Sequence, residues 1–363
     1  MRTVYAFLSL LTPFLISCGP REVSDNQTPP AADTLRYEAE HHIQNIRQLS
    51  FGGDNAEGYF SFDGNSIVFQ ATNESWGVPC DQIFVMPLDG TKGQKPPMLS
   101  TGKGRTTCAY FLPGDSTILY ASTHLAADTC PQTPRTHQGK YVWGIHPEYD
   151  IFLADLKGNI LQRLSSEPGY DAEATVSPDG SRIVFTSTRS GDLELWTMRP
   201  DGSELKQITK ELGYDGGAFF SPDSKKLVFR ASRPKSQEDV KAYQELLAQG
   251  LVQPTNMEIY VCNADGSELA QITSLGGANW APFFHPGGEK IIFSSNHHTE
   301  SGRIFNLFSI DLDGTNMEQI TFDPTFDAFP MFSPDGSKLI FASNRNNKGT
   351  RDTNLFLADW VEH

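Results

Sequence analysis

The sequence predicts an all-β chain closed into a six-bladed β-propeller, and three recurring markers predict it. A turn anchor appears six times, as SFDG at Ser61, LPGD at Leu112, SPDG at Ser177, SPDS at Ser221, HPGG at His285 and SPDG at Ser333. An apolar run ending in a turn follows each of the first five: IFVMPLDG, IFLADLKG, LWTMRPDG, IYVCNADG and LFSIDLDG, with LFLADW after the sixth. A short MLS, RLS or QIT segment closes most units. The shortest spacing, Ser177 to Ser221, is 221 − 177 = 44 residues, the length of one uninterrupted blade.

Each unit supplies four short strands. Strand a enters the anchor, as in Ala218-Phe219-Phe220, and strand b leaves it as a β-branched run such as Ile183-Val184-Phe185. Strand c is Leu195-Trp196-Thr197-Met198 in the third unit, and strand d is the QIT segment. Asp-Gly pairs between them supply the positive-φ positions that tight hairpins need. They read as turns rather than Ca²⁺ loops, because the twelve-residue pattern with its terminal Glu is absent. Four antiparallel strands repeated radially make a propeller. The sixth unit stops at strand c, Leu355 to Trp360, and a matching d strand stands ahead of the first unit at Ile46 to Ser50. The N-terminal strand is therefore expected to complete the last blade and leave the ring without an edge.

Composition bounds the partners. The 363 residues carry 29 Lys+Arg against 44 Asp+Glu, a formal charge of −15, which argues against nucleic acid because phosphates need a basic face. With 38% hydrophobic and 11% aromatic residues the chain has material for a sizeable core. At the N-terminus, Arg2 precedes an apolar or small run, Val4 to Ile16, too short to span a bilayer and suited to a secretion signal. It ends Leu15-Ile16-Ser17-Cys18-Gly19, which resembles a bacterial lipobox. That resemblance implies a lipidated Cys18, a signal peptide over 1–17 and a place in the cell envelope, periplasmic or at the surface, held by lipid alone. Residues 18–42 are polar and aperiodic and read as a flexible tether; residues 43–363 form the propeller.

The repeat, with SPDG, a strand and then S-x-R, resembles the TolB-type propellers found in periplasmic proteins, over roughly residues 43–363. The resemblance implies the fold and an envelope binding role. TolB itself carries an N-terminal α/β domain ahead of its propeller, through which part of its partner contact is made, where this chain is expected to have only the tether.

Two insertions stand out, 123–149 and 234–257, both joining strand b to strand c. The second contains a helical stretch, Glu238 to Leu247, with Ser236 as its cap. The b–c and d–a connections of a propeller share one face, so both elaborations crown the same rim, where function concentrates. The d–a loops there carry Tyr170-Asp171, Tyr214-Asp215, Asn279-Trp280 and Phe326-Asp327. Asp171, Asp215, Trp280 and Asp327 are thus candidate ligand-binding residues at the channel mouth; singly, each is also what a turn cap or an interblade contact uses. Arg189, Arg233 and Arg345, from the S-x-R ends of strand b, either join that mouth or pair with the d–a acids. His124 and His297 replace the arginine in blades 2 and 5, and with His298 and the nearby His146 they are the candidate divalent-metal ligands.

Cys18 is assigned to lipid and Cys262 to a buried strand, while any two of Cys80, Cys108 and Cys130 could pair outside the cytoplasm. No G-x-S-x-G, P-loop or dinucleotide motif occurs. The expected function is a non-catalytic binding or scaffold module, monomeric, without a resident cofactor, that engages a protein or glycan through the insertion-bearing face. The alternative is a metal-dependent polysaccharide lyase, by resemblance to oligogalacturonate lyase, whose seven-bladed propeller holds a metal with histidines.

Overall fold

The computed structural model describes Met1 and residues 33–363; the signal segment, Cys18 and the first part of the expected tether lie outside the described residues. From Asp33 onward the chain is one compact unit. Six antiparallel sheets follow one another along it. Blade 1 is Asp54–Phe60, Ser66–Asn73 and Val78–Pro87, its outer strand reduced to a bridge between Phe84 and Met98. Blades 2 to 5 begin at Thr106, Asp171, Asp215 and Asn279 and hold four strands each. Blade 6 is Asp327–Phe332, Lys338–Ser343 and Asn354–Trp360, completed by Ile43–Gln48. The closing strand runs antiparallel to its partner with Ile43 opposite Trp360 and Gln48 opposite Phe356. The closure follows the sequence expectation, with the strand starting three residues earlier.

Strands b are apolar without alternation because each is covered on both faces by neighbouring blades. Val68, Phe69, Leu119, Tyr120, Val184, Phe185, Phe229, Phe293 and Phe341 are all 0% exposed. The aromatic at the third apolar position pairs across the sheet with an aromatic of strand c in every blade: Phe69 with Phe84, Tyr120 with Phe152, Phe185 with Trp196, Phe229 with Tyr260, Phe293 with Phe308 and Phe341 with Phe356. Cross-strand aromatic pairs are among the stronger units of sheet stabilisation.

The S-x-R and S-x-H positions cap these pairs. The guanidinium of Arg189 lies 5.2 Å from the ring centroids of Phe185 and Trp196, and that of Arg345 lies 4.9 Å from Phe341. The His124 ring lies tilted against Phe152 with centroids 4.5 Å apart, and His297 against Phe308 at 4.7 Å. In each case the backbone N–H donates to the Ser hydroxyl two residues earlier. Arginine and histidine interchange here because both offer a flat cationic or aromatic face to an aromatic pair.

The described part of the expected tether is not free of the domain. Residues 33–42 lie on the propeller: Glu40 is 0% exposed and receives Arg345 of blade 6, Tyr37 donates to Asp323 at 2.8 Å, and a ring nitrogen of His42 bonds the Val361 carbonyl. In the second insertion, helix α1 spans Gln237–Leu247, with Ser236 accepting from the Asp239 N–H. No helix among the described residues is long and apolar enough to cross a membrane.

Candidate functional site: a chamber beneath the crossed insertions

The two insertions meet over the channel. Trp143–Gly144 of the first pairs as a two-residue strand with Leu251–Val252 of the second, and Ile145 N–H donates to Gly250 O at 2.7 Å. A hairpin, Thr136–His137 with Lys140–Tyr141, projects beyond them. Cys80, at the start of blade 1 strand c, is disulfide-bonded to Cys130 of the first insertion, leaving Cys108 and Cys262 free. The lid is thus tied to blades 1, 2 and 4.

The candidate acids and arginines pair with one another within each blade. Asp171 accepts Arg189, Asp215 accepts Arg233, and Asp327 accepts Arg345; the three carboxylates are 1%, 0% and 0% exposed. None faces the channel. Each begins strand a, and its carboxylate reaches the arginine that ends strand b of the same blade, where a neighbouring blade covers the pair. Trp280 supports the lid. Its Nε1–H donates to Pro254 O at 3.0 Å, and its ring packs against Trp143 at 5.1 Å and Phe305 at 4.4 Å. The candidate histidines are dispersed. His124 and His297 sit on blades 2 and 5, on opposite sides of a six-membered ring, each fixed by a serine hydroxyl at 3.0 and 2.7 Å. His298 bonds Asn306 at 2.9 Å. Among the described residues no three His, Cys, Asp or Glu side chains are grouped to hold a metal ion.

What does face the channel is a position the sequence reading passed over. Four residues before each anchor, every strand a carries a bulge whose residue has positive φ: Glu57, Cys108, Glu173, Gly217, Ala281 and Phe329, with φ between 47° and 60°. Five of the six are not glycine, so this strained conformation is imposed by the repeat. Two residues further on, Tyr59, Tyr110, Phe219 and Phe283 close the channel below. Tyr59 of blade 1 meets Phe219 of blade 4, directly across the ring, at 5.5 Å. A floor of aromatics, a wall of bulge residues and a roof of insertions enclose a cavity of about 560 Å³.

The wall is two-sided. On blades 4 to 6 the bulge residues are Gly217, Ala281 and Phe329, with Trp280 and Phe326 beside them. On blades 1 to 3 they are Glu57, Cys108 and Glu173. Glu173 is fully satisfied: it accepts from Thr186 Oγ1 at 2.8 Å, Gly217 N–H at 2.7 Å, Arg230 at 2.7 Å and the Tyr214 hydroxyl. Burial pushes its carboxyl up, but Arg230 and these donors outweigh that and hold it below the usual range. Arg230 comes from strand b of blade 4 and lies between the rings of Trp143 and Tyr214 at 5.3 and 5.1 Å. Gly217 lets it through, since a Cβ there would sit 1.8 Å from the guanidinium.

Glu57 has no such partner. One of its carboxylate oxygens is buried and makes no hydrogen bond. Burial pushes its carboxyl up to about 7, Glu173 and Asp81 add to this, and Cys108 and Arg230 offset part of it. The Cys108 thiol is raised by burial and by the same two glutamates. With Glu173 paired to Arg230, Glu57 is the bulge acid left without a cation.

A stability signature follows. An unfolded glutamate ionises near 4.5, and the folded Glu57 ionises near 7. As pH rises between those values the unfolded chain releases its proton first, so this group lowers stability through that window. Glu57→Gln should therefore raise stability at pH 8 by roughly 3 kcal/mol and have no effect below pH ~4. Urea melts of both proteins at the two pH values measure this; equal midpoints at pH 8 would show that Glu57 carries no burial penalty.

Comparison with known proteins agrees with this architecture. The family model described as the TolB β-propeller domain matches residues 133–249 and 252–350, more than half of the chain. The Tol-Pal system protein TolB of Bordetella pertussis is 38% identical over 47 residues, 13% of this chain and 11% of that protein. The chain thus matches only about a tenth of that relative's length. A solved TolB-type structure from Agrobacterium tumefaciens superposes with a TM-score of 0.55 at 18% identity, covering 85% of this chain and 91% of its own. TolB of Acinetobacter baumannii gives 0.56 at 19% identity, covering 83% and 65%. At these identities the structural likeness speaks for the fold, and the repeat match assigns the family: the chain belongs to the TolB β-propeller domain family.

Proposed function

We propose that this protein is an envelope lipoprotein, anchored through Cys18, whose propeller is a non-catalytic binding module with its insertion-bearing face turned to the partner. The observation that carries the reading is the lid. Two insertions from blades 2 and 4 meet over the channel in one two-stranded patch, and a disulfide ties them to blade 1. The opposite face, by contrast, is built from short Asp-Gly turns whose carboxylates are occupied by their own loops. Asp201 and Asp265 each accept from a serine two residues on. A rigid elaborated face over a closed channel suits recognition of a protein or glycan. The lid presents Tyr141, 51% exposed, beside the exposed Arg135, residue types that dominate binding hot spots. The lipobox-like Leu15 to Cys18 supports the anchor.

The test uses photo-crosslinking side chains in whole cells. One placed at Tyr141 is expected to couple to a discrete envelope component, and one placed at Asp265 is expected to give none. The reverse pattern overturns the assignment of the face. Cys18→Ala is expected to move the protein from the membrane to the soluble fraction or leave it unprocessed. Identical partitioning of mutant and wild type removes the lipid anchor from the reading.

A further inference from the structure

Beyond partner docking on the lid, we propose that the chamber is a small-molecule site, and that its ligand is an organic amine: an ammonium head bound by Glu57 and an apolar, preferably aromatic, body held against blades 4 to 6. A cavity of about 560 Å³ lies within the range of small-ligand sites. Its chemistry is asymmetric in a way that selects among ligands. Of the carboxylates lining this cavity, that of Glu57, the bulge residue of blade 1, has a buried oxygen without a hydrogen-bond donor. Buried polar groups in folded proteins find partners, and this one faces a space large enough to supply one. Glu173 is already matched by Arg230 and Asp81 by Arg105, so Glu57 is the inner acid left to offer, which suits a monocation rather than a divalent ion.

The far wall excludes a sugar. Gly217, Ala281 and Phe329 bring no side-chain donor or acceptor, and the Trp280 indole N–H is spent on Pro254. A polyhydroxyl ligand would leave most of its hydroxyls unpaired against that wall. An aromatic body loses nothing there, and the Phe329, Trp143 and Tyr214 rings offer it edges and faces. Asp54, Thr353, Phe326, Arg135 and Tyr141 also line the cavity, at its rim towards blades 1 and 6 and the lid. Among the acids lining this side, Asp81 is paired with Arg105 at 3.6 Å and Asp54 is offset by Arg135, so selection for a cation rests on Glu57 inside the chamber.

Calorimetric titration of the full-length chain in detergent tests the site with two probes of one shape: phenethylamine, charged, and 2-phenylethanol, neutral. Saturable one-to-one binding of the amine is expected, with the alcohol at least tenfold weaker. Glu57→Gln should weaken the amine at least tenfold and bring it level with the alcohol, while Asp265→Asn on the opposite face changes neither. Thermal melts run in parallel show whether each variant is folded, and Glu57→Gln is expected to melt no lower than wild type. No saturable binding of phenethylamine, equal affinity for the alcohol, or unchanged affinity in a folded Glu57→Gln protein overturns the proposal. None of these results bears on the crosslinks at Tyr141 or on anchoring through Cys18, so the two readings can fail separately.

Discussion

Deleting residues 43–50 is expected to destabilise the propeller by roughly 5 kcal/mol or more and to make it associate. The segment buries Ile43, Ile46 and Leu49, at 0%, 5% and 1% exposure. Each such side chain contributes about 1.5–3 kcal/mol when removed from water. It also supplies the outer strand of blade 6, in register from Ile43 opposite Trp360 to Gln48 opposite Phe356. Beyond that strand, Leu49 N–H donates to Leu355 O at 2.7 Å, and Thr91 N–H of blade 1 donates to Leu49 O at 2.8 Å. One segment therefore ties the last blade to the first. Without it, Asn354–Trp360 becomes a free edge with unpaired backbone groups, a template for pairing with another copy. Denaturant midpoints and size-exclusion profiles measure the two effects. Gln44→Ala, on the exposed side of the same strand, should change neither. A deletion that melts with the intact chain and stays monomeric would show that the ring does not depend on this closure.

Closure of that kind is legible in a sequence because it rests on repetition. A unit that lacks its fourth strand and a spare strand at the other end of the chain describe one blade between them. Strands b are legible for a related reason: burial on both faces turns alternation into a continuous apolar run, as at Ile183-Val184-Phe185. The site was less readable. An aspartate beside an aromatic in a d–a loop fits both a mouth residue and a partner for the arginine that follows strand b, and the repeat alone does not choose between the two. For Asp171 and Arg189 that pairing is internal to one blade and sealed by its neighbour. His124 and His297 looked like ligands because histidine was unexpected where the other blades have arginine; the aromatic pair beneath accounts for both residue types.

The position that does face the channel leaves a different trace. Counting four back from each anchor gives Glu57, Cys108, Glu173, Gly217, Ala281 and Phe329. Six residues of such different chemistry, at one fixed place in an otherwise regular repeat, signal a position the fold does not dictate. Strict strand alternation hides it, because the bulge that turns these residues inward breaks the register between strands a and b. The Cys80–Cys130 pairing was likewise beyond the sequence, since it depends on where the first insertion crosses blade 1.

Arg345→Ala is expected to cost about 3–5 kcal/mol, the range for stripping one partner from a buried ionic group. The guanidinium is 2% exposed and sits between Glu40 and Asp327, whose side chains are both 0% exposed, at 3.0 Å from each. It also donates to Leu35 O at 3.1 Å and to the Ser343 hydroxyl at 3.1 Å. Its flat faces lie against Tyr37 at 5.5 Å and Phe341 at 4.9 Å. One residue of blade 6 therefore holds the segment preceding the closing strand, and its loss leaves two carboxylates buried without a cation. Arg345→Lys should recover little, because an ammonium cannot stack on Phe341 while donating in four directions. Removing the stranded charges should recover more. In the triple variant Glu40→Gln, Asp327→Asn, Arg345→Met, the cost from unpaired charge disappears and the aliphatic stem is kept, so most of the lost stability is expected back. Denaturant titration of the single, the lysine and the triple variants gives the three values. An Arg345→Ala protein within about 1 kcal/mol of wild type, the ordinary scale of an exposed pair, would mean that residues 33–42 are not held to the propeller by this contact. A triple variant no more stable than Arg345→Ala would place the cost in lost packing over Phe341 and Tyr37 rather than in the two abandoned carboxylates.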